Sequence, residues 1–88
     1  MPRPTHDEIA TKVTALAAEE AGVQPAAVTL ESRFFEDLNY DSLGMVELTM
    51  NLEEAFELTI SDEDADGVKT VGQVVELIET HFEKVAAS

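Results

Sequence analysis

Apolar residues recur at intervals of three and four positions in three segments of the 88-residue chain. This spacing aligns them along one side of an α-helix, and no segment shows the alternation of a half-buried β-strand. A chain of this length buries one small core, so we expect residues 1–88 to form a single all-α domain. The predicted inner faces are Ile9, Val13, Leu16 and Ala17 in the first segment, Met45, Leu48, Leu52, Ala55 and Phe56 in the second, and Val71, Val74, Val75, Ile78 and Phe82 in the third.

Capping residues predict where the helices begin and end. A Ser or Thr followed three positions later by an acid or amide can satisfy the free N–H groups of a first turn, and Gly is typical of a helix C-terminus. The predicted starts are Thr5 with Glu8, Ser61 with Asp64 and Thr70 with Gln73, and the predicted stops are Gly22 and Gly67. The expected fold is a small four-helix bundle with three longer helices and one short helix, frayed at about residues 1–4 and 85–88.

Residues 23–39 show no sustained period and are predicted to form a long first loop. Structureless connections of this length are uncommon in compact domains unless they are functional or held in place. Phe34 and Leu38 are the predicted anchors of the loop on the helices. Asn39 tolerates a left-handed backbone at the turn into the second helix, and Asp41 can cap that helix.

The second helix, expected to begin near Ser42, has apolar residues on two opposite sides. Leu43, Val46 and Met50 lie opposite the predicted inner face, where acidic residues surround them. Exposed apolar side chains ringed by carboxylates are typical of a docking site for a basic partner. Alternatively, Val46 or Leu43 lies under the neighbouring loop, and the acids only keep the protein soluble. The acidic neighbours are Glu47, Glu53, Glu54 and Glu57.

The charge balance excludes several classes of partner. Nineteen acidic against five basic residues give a formal net charge of −14, which repels nucleic-acid phosphates and anionic membrane surfaces. The chain has no cysteine, so disulfides, thiolate metal sites and a thiol nucleophile are excluded. No apolar run reaches membrane-spanning length, and the N-terminus lacks the apolar stretch of a signal peptide. We therefore expect a cytoplasmic protein that binds neither nucleic acid nor membrane.

Three roles for Ser42 follow from its place at a predicted helix start. It could act as an N-cap, as many Ser residues do. It could be a nucleophile, but activation needs a nearby base. The only histidines, His6 and His81, lie near the chain ends, and nothing in the sequence brings either to Ser42. Their spacing does not indicate a metal site either. Ser42 could instead carry a covalently attached phosphate, because a helix N-terminus favours an anion, although Asp41 opposes this in part.

A partial calcium-loop pattern lies further along the chain. Asp62, Asp64, Asp66 and Gly67 match the first, third, fifth and sixth positions of an EF-hand loop within residues 62–73. The twelfth position, which needs a bidentate Glu, is Gln73. The capping signals at either side explain the same residues as helix ends. A calcium sensor is kept as a weaker alternative, beside an acidic helical adaptor that carries nothing.

The residues around Ser42 resemble those of the acyl carrier proteins. Asp-Ser-Leu at positions 41–43 is a short element, but it stands between an acidic loop and an acidic helix in a domain of the expected size. The likeness covers nearly the whole chain, at positions 37–43, 46–48, 52–54, 56, 61–64 and 70–71. In that family the serine matching Ser42 receives 4′-phosphopantetheine from coenzyme A through a separate phosphopantetheinyl transferase.

This resemblance implies a carrier and not an enzyme. The thiol of the arm would hold acyl chains as thioesters for acyltransferases, ketosynthases and other enzymes of fatty-acid or polyketide synthesis that present basic patches. It implies a discrete, monomeric protein, with no metal site. The implied partner-recognition residues, together called the recognition face below, are Asp41, Leu43, Val46, Glu47, Met50, Glu53 and Glu54.

Three positions depart from the family pattern. Asn39 stands where Gly is usual, and Gly44 stands where an acidic or polar residue is frequent. Tyr40 is bulkier than the Ala of many fatty-acid carriers, and aromatic residues there occur in polyketide carriers. The resemblance therefore leaves both pathways open.

Overall fold

The computed structural model describes residues 4–87, with side chains for residues 4–83. Within that range the chain forms α1 (His6–Ala21), a 3-10 turn (Pro25–Ala27), α2 (Phe34–Asp37), α3 (Ser42–Phe56), α4 (Asp62–Gly67) and α5 (Val71–Ala87). The predicted small all-α bundle is confirmed. The prediction of an unstructured first loop was incomplete, because that stretch contains the 3-10 turn and the short helix α2. Of the expected frayed ends, residues 1–3 and Ser88 lie outside the described residues, whereas residues 85–87 are helical within α5, contrary to the prediction.

The predicted caps form at the helix starts. Thr5 accepts a hydrogen bond from the N–H of Glu8, and Glu8 accepts one from the N–H of Thr5, both at 3.1 Å. Thr70 and Gln73 pair in the same way before α5, and Ser61 caps α4 through the N–H of Asp64. These bonds satisfy N–H groups that lack a partner within the helix. Gly22 ends α1 with a φ of 74°.

The core lies between α1, α3 and α5, with α1 packed against both of the other long helices. The predicted inner faces are confirmed in most positions. Leu16, Met45, Phe56 and Phe82 are only partly buried, and Ala55 is exposed, so the prediction was wrong for Ala55. None of the described helices is both long and apolar enough to cross a membrane. The buried core residues of the long helices are Ile9, Val13, Ala17, Ala18, Leu48, Leu52, Val71, Val74, Val75 and Ile78.

The connection between α1 and α3 contributes to the core itself. Phe34 is fully buried, and Leu38 is 8% exposed, so both predicted anchors are confirmed. Val28 and Tyr40 are buried with them, whereas Phe35 is 54% exposed. A small bundle gains apolar burial in this way without a longer helix.

Backbone hydrogen bonds join the same connection to the start of α5. The N–H of Phe34 donates to the carbonyl of Lys69 at 3.0 Å, and the N–H of Val71 donates to the carbonyl of Ser32 at 3.1 Å. Arg33 and Thr70 form an isolated antiparallel bridge at this point. The loop is therefore held by main-chain bonds as well as by its apolar side chains.

Gly72 allows the closest approach in this contact. Its N–H donates to the carbonyl of Leu30 at 2.8 Å, and a Cβ at position 72 would lie 2.9 Å from the same oxygen. A side chain therefore cannot be added unless the backbone near Leu30 moves.

We expect Gly72→Ala to lower the free energy of unfolding by about 1–3 kcal/mol, the usual cost of overpacking. Gly67→Ala is the matched control, because a Cβ there meets no atom within 4 Å and Ala favours helix over Gly by up to about 1 kcal/mol. Urea denaturation followed by circular dichroism measures both variants. Equal stability of Gly72→Ala and the wild type would contradict the close-contact explanation.

Candidate functional site

The turn into α3 fixes the position of Ser42. Asn39 has a φ of 57°, which confirms the predicted left-handed residue. The N–H of Tyr40 then donates to the carbonyl of Phe34 at 2.9 Å. Asp41 is the N-cap of α3, and its Oδ1 accepts a hydrogen bond from the N–H of Gly44 at 2.7 Å, as predicted.

Tyr40 anchors this turn to α1. Its hydroxyl donates to the carbonyl of Ala17 at 2.7 Å, and its ring meets Phe34 edge-on with a centroid distance of 5.1 Å. Burial raises the pKa of the Tyr40 phenol, and the negative charge of Glu20 acts in the same direction. The turn before Ser42 is thereby fixed to the core by a buried aromatic residue.

Gly44 makes room for Tyr40. A Cβ at position 44 would lie 3.2 Å from Cδ2 of Tyr40, which is closer than an ordinary van der Waals contact. The large residue at position 40 and the small one at position 44 are therefore a matched pair across the first turn of α3.

Ser42 is the first residue of α3 and is exposed. Because Asp41 caps the helix, the N-cap interpretation of Ser42 is wrong, and its hydroxyl is not needed for capping. His6 pairs with Glu79, and His81 packs edge-on against Phe82. Both histidines are engaged elsewhere, so the site does not have the arrangement of an activated nucleophile.

The apolar part of the recognition face points away from the core. Leu43, Val46 and Met50 are 65%, 55% and 60% exposed, which confirms their predicted orientation. The alternative that one of them is covered by the neighbouring loop is wrong. Asp41, Glu47 and Glu54 are also exposed, so carboxylates lie beside the apolar side chains.

Glu53 differs from the other acids of the recognition face. It is only partly exposed, and its Oε2 accepts a hydrogen bond from the N–H of Ile60 at 2.8 Å. Its carboxylate therefore holds the α3–α4 connection, an additional role that sequence reasoning missed.

A groove of about 520 Å³ runs from Ser42 along α3. The opposite wall is formed by α4 and the segment after it, with Phe35 of α2 among its lining residues. Its volume is within the range of small-molecule pockets. The residues lining it are Phe35, Ser42, Met45, Val46, Thr49, Met50, Glu53, Ile60, Asp62, Ala65, Asp66, Val68 and Lys69.

Two acids from different helices meet beside the turn. Hydrogen bonding to Glu47 of α3 raises the pKa of the Glu20 carboxyl, and desolvation and the charges of Glu47, Asp41 and Glu19 add to this effect. Glu20 was not predicted as a site residue. Phe35 and Lys69 were also not predicted, and no helical periodicity would have placed either of them near Ser42.

The structure does not contain the predicted calcium-binding loop at Asp62, Asp64 and Asp66. Asp62, Asp64 and Asp66 belong to helix α4, which Ser61 caps, and they do not form a chelating loop. Among the residues that the structure describes, no group of three or more His, Cys, Asp or Glu could hold a metal ion.

The helical bundle thus places an exposed serine at the start of α3, beside a groove. Residues 11–78 match the protein family described as "Phosphopantetheine attachment site". Proteins named "Acyl carrier protein" from three strains of Clostridium perfringens are each 51% identical over 73 residues, which cover 83% of this chain and 96% of each relative.

The chain therefore belongs to the acyl carrier protein family. It is a carrier and not an enzyme, and its prosthetic group is a covalently attached 4′-phosphopantetheine. The site fits this group, because it offers an exposed hydroxyl at the positive end of a helix and a groove beside it.

Removing the carboxylate of Glu47 should lower the pKa of Glu20 toward the ordinary glutamate value. Because the folded-state pKa of Glu20 is raised, its stabilising contribution is present at low pH and is lost as pH rises through that pKa. Glu47→Gln should therefore reduce this loss. Carbon NMR of the glutamate carboxyls against pH measures the change, with Glu54→Gln as control, and an unchanged Glu20 titration in Glu47→Gln would contradict the assignment.

Proposed function

We propose that Ser42 is the attachment residue for the phosphopantetheine arm. The observation that carries this proposal is the exposed position of Ser42 at the start of α3, inside the region that matches the attachment-site family. The Ser42 hydroxyl is not needed to cap α3, because the Asp41 side chain is the N-cap. A phosphopantetheinyl transferase can therefore reach and modify Ser42 without opening the fold.

The local electrostatics support an anion at this position. The N-terminus of α3 carries the positive end of the helix dipole and N–H groups without helical partners. Asp41 uses the N–H of Gly44, which leaves other first-turn N–H groups for the phosphodiester. The bound arm supplies a terminal thiol that carries acyl groups as thioesters, and the protein presents that thiol to its partners.

The groove beside Ser42 is proposed to receive the arm or its acyl chain. Val46 and Met50 supply apolar surface from α3, and Ile60 and Val68 supply it from the opposite side. An alkyl chain placed there leaves water for a partly apolar surface, which is favourable by roughly 25 cal/mol per Å² of buried area.

The recognition face is proposed to dock the enzymes that use the carrier. Its exposed carboxylates attract basic patches over several ångströms, and Leu43, Val46 and Met50 supply apolar contact area. Acyltransferases and ketosynthases of fatty-acid or polyketide synthesis are the proposed partners. We propose that the carrier is a monomer that works in the cytoplasm.

Attachment to Ser42 is tested by incubation with coenzyme A and a broad-specificity phosphopantetheinyl transferase. Intact mass should show a gain of one phosphopantetheine in the wild type and none in Ser42→Ala. Ser61→Ala is the control, because Ser61 also stands exposed at a helix start, and it should be modified like the wild type. Modification of Ser42→Ala would assign the arm to another residue.

Docking on α3 is tested by the rates of the transferase and of a ketosynthase that accepts the wild-type carrier. We expect Glu47→Lys to slow both reactions by about tenfold or more, because a loss of roughly 1.4 kcal/mol in encounter or docking corresponds to tenfold. Met50→Ala should slow them less. Glu76→Lys makes the same charge change on exposed α5 surface and should have the smaller effect. If Glu47→Lys and Glu76→Lys slow the reactions equally, the net charge of the protein and not the position on α3 determines the rate, which would contradict docking on the recognition face.

A further inference from the structure

Among the residues whose side chains the structure describes, Lys69 is the single basic one that lines the groove beginning at Ser42. It lies between α4 and α5, and its main chain is held on both sides. Its carbonyl accepts a hydrogen bond from the N–H of Phe34 at 3.0 Å, and its own N–H donates to Gln73 Oε1 at 2.6 Å. The backbone of Lys69 is therefore fixed, while its side chain is exposed and lines the groove.

The charges around Lys69 make a cation at this point unusual. The chain has only five Lys and Arg residues against nineteen acids. In the part of the chain that the structure describes, Arg33 pairs with Glu36 and Asp37, and no ion pair involves Lys69. Three acids, Glu53, Asp62 and Asp66, line the same groove.

A phosphodiester on Ser42 would be stabilised by a nearby positive charge. Asp41 stands next to Ser42, and its carboxylate already accepts a hydrogen bond from the N–H of Gly44 at the N-terminus of α3. A second anion there is repelled by Asp41 and by a chain of formal charge −14. The helix dipole offsets only part of this repulsion, since its effect is about 0.3–1 kcal/mol at an exposed site.

We infer that Lys69 is the counter-ion of the phosphodiester on Ser42 and holds the arm along the groove. This inference rests on the proposed attachment to Ser42. Lysine suits the role because its charge sits on a flexible four-carbon stem that can reach a phosphate from a fixed backbone. Lys69 is a positioning residue: it orients the arm, and Phe35 and Val68 lie beside it in the groove.

The test compares apo and phosphopantetheine-loaded protein without any partner enzyme. In the unmodified sequence, loading should shift the carbon-NMR signal of the Lys69 side chain and leave that of Lys12 unchanged. Lys12 is an exposed lysine of α1 that lines a different groove, so it is a control in the same sample. About 1 M salt, where the Debye length falls to about 3 Å, should reduce the Lys69 shift.

Variants supply a second measurement on the loaded protein. The phosphorus-NMR line of the phosphodiester should be narrower in Lys69→Gln than in the wild type, because a released arm moves faster than the protein. Lys69→Arg should keep the broad line, and Lys12→Gln should match the wild type. A gain in mass with no Lys69 shift and no narrowing would overturn this inference alone, whereas no gain in mass would overturn the proposed attachment as well.

Discussion

The contact between the α1–α3 connection and the first turn of α5 determines where Ser42 lies. Main-chain bonds from Phe34 to Lys69 and from Val71 to Ser32 fix the connection at its midpoint, and the ring of Phe34 fills the core. The carbonyl of Phe34 then receives the N–H of Tyr40. A continuous path of hydrogen bonds thus joins α5 to the turn before α3. Ser42 is the first residue of α3, so its position depends on the turn before it, and this path fixes that turn without burying the hydroxyl.

The large residue Tyr40 and the small residue Gly44 occur together because their positions are in contact. Both depart from the pattern of many acyl carriers, and at the sequence level they are two unrelated differences. In the fold, the ring of Tyr40 lies against Gly44 and its hydroxyl bonds to α1. Glycine weakens a helix by roughly 1 kcal/mol relative to alanine, and a buried hydrogen bond contributes about as much. The aromatic anchor therefore offsets the weaker helical turn, and the start of α3 is fixed by packing instead of by helix propensity.

The sequence predicts local features well, because they depend on neighbouring residues. Residues only a few positions apart determine the capping boxes at Thr5 and Thr70, the left-handed backbone of Asn39 and the outward-facing side of α3. Features that arise from contacts between elements were missed. The four residues of α2 are too few to show a period, and nothing near Gly72 indicates that Leu30 lies against it. The site divides in the same way: the exposed positions of Ser42 and Met50 on α3 were predictable, whereas Lys69 reaches the groove only through the fold. Glu53 shows the converse, since a bond to Ile60 adds a structural role to an acid predicted only to contact partners.

A carrier must attract many enzymes and keep none of them bound for long, and the distribution of charge in this chain suits both needs. Carboxylates on an exposed helix raise association rates through a long-range field that salt screens, while the exposed apolar area on α3 is limited to a few side chains. The inferred pairing of Lys69 with the arm differs from this long-range attraction, because it acts over a short distance and involves a single cation. On the proposed docking, a basic patch bound to the recognition face would bring new positive charge to the same phosphodiester. It would then compete with Lys69, and that competition would favour transfer of the arm from the groove into the partner.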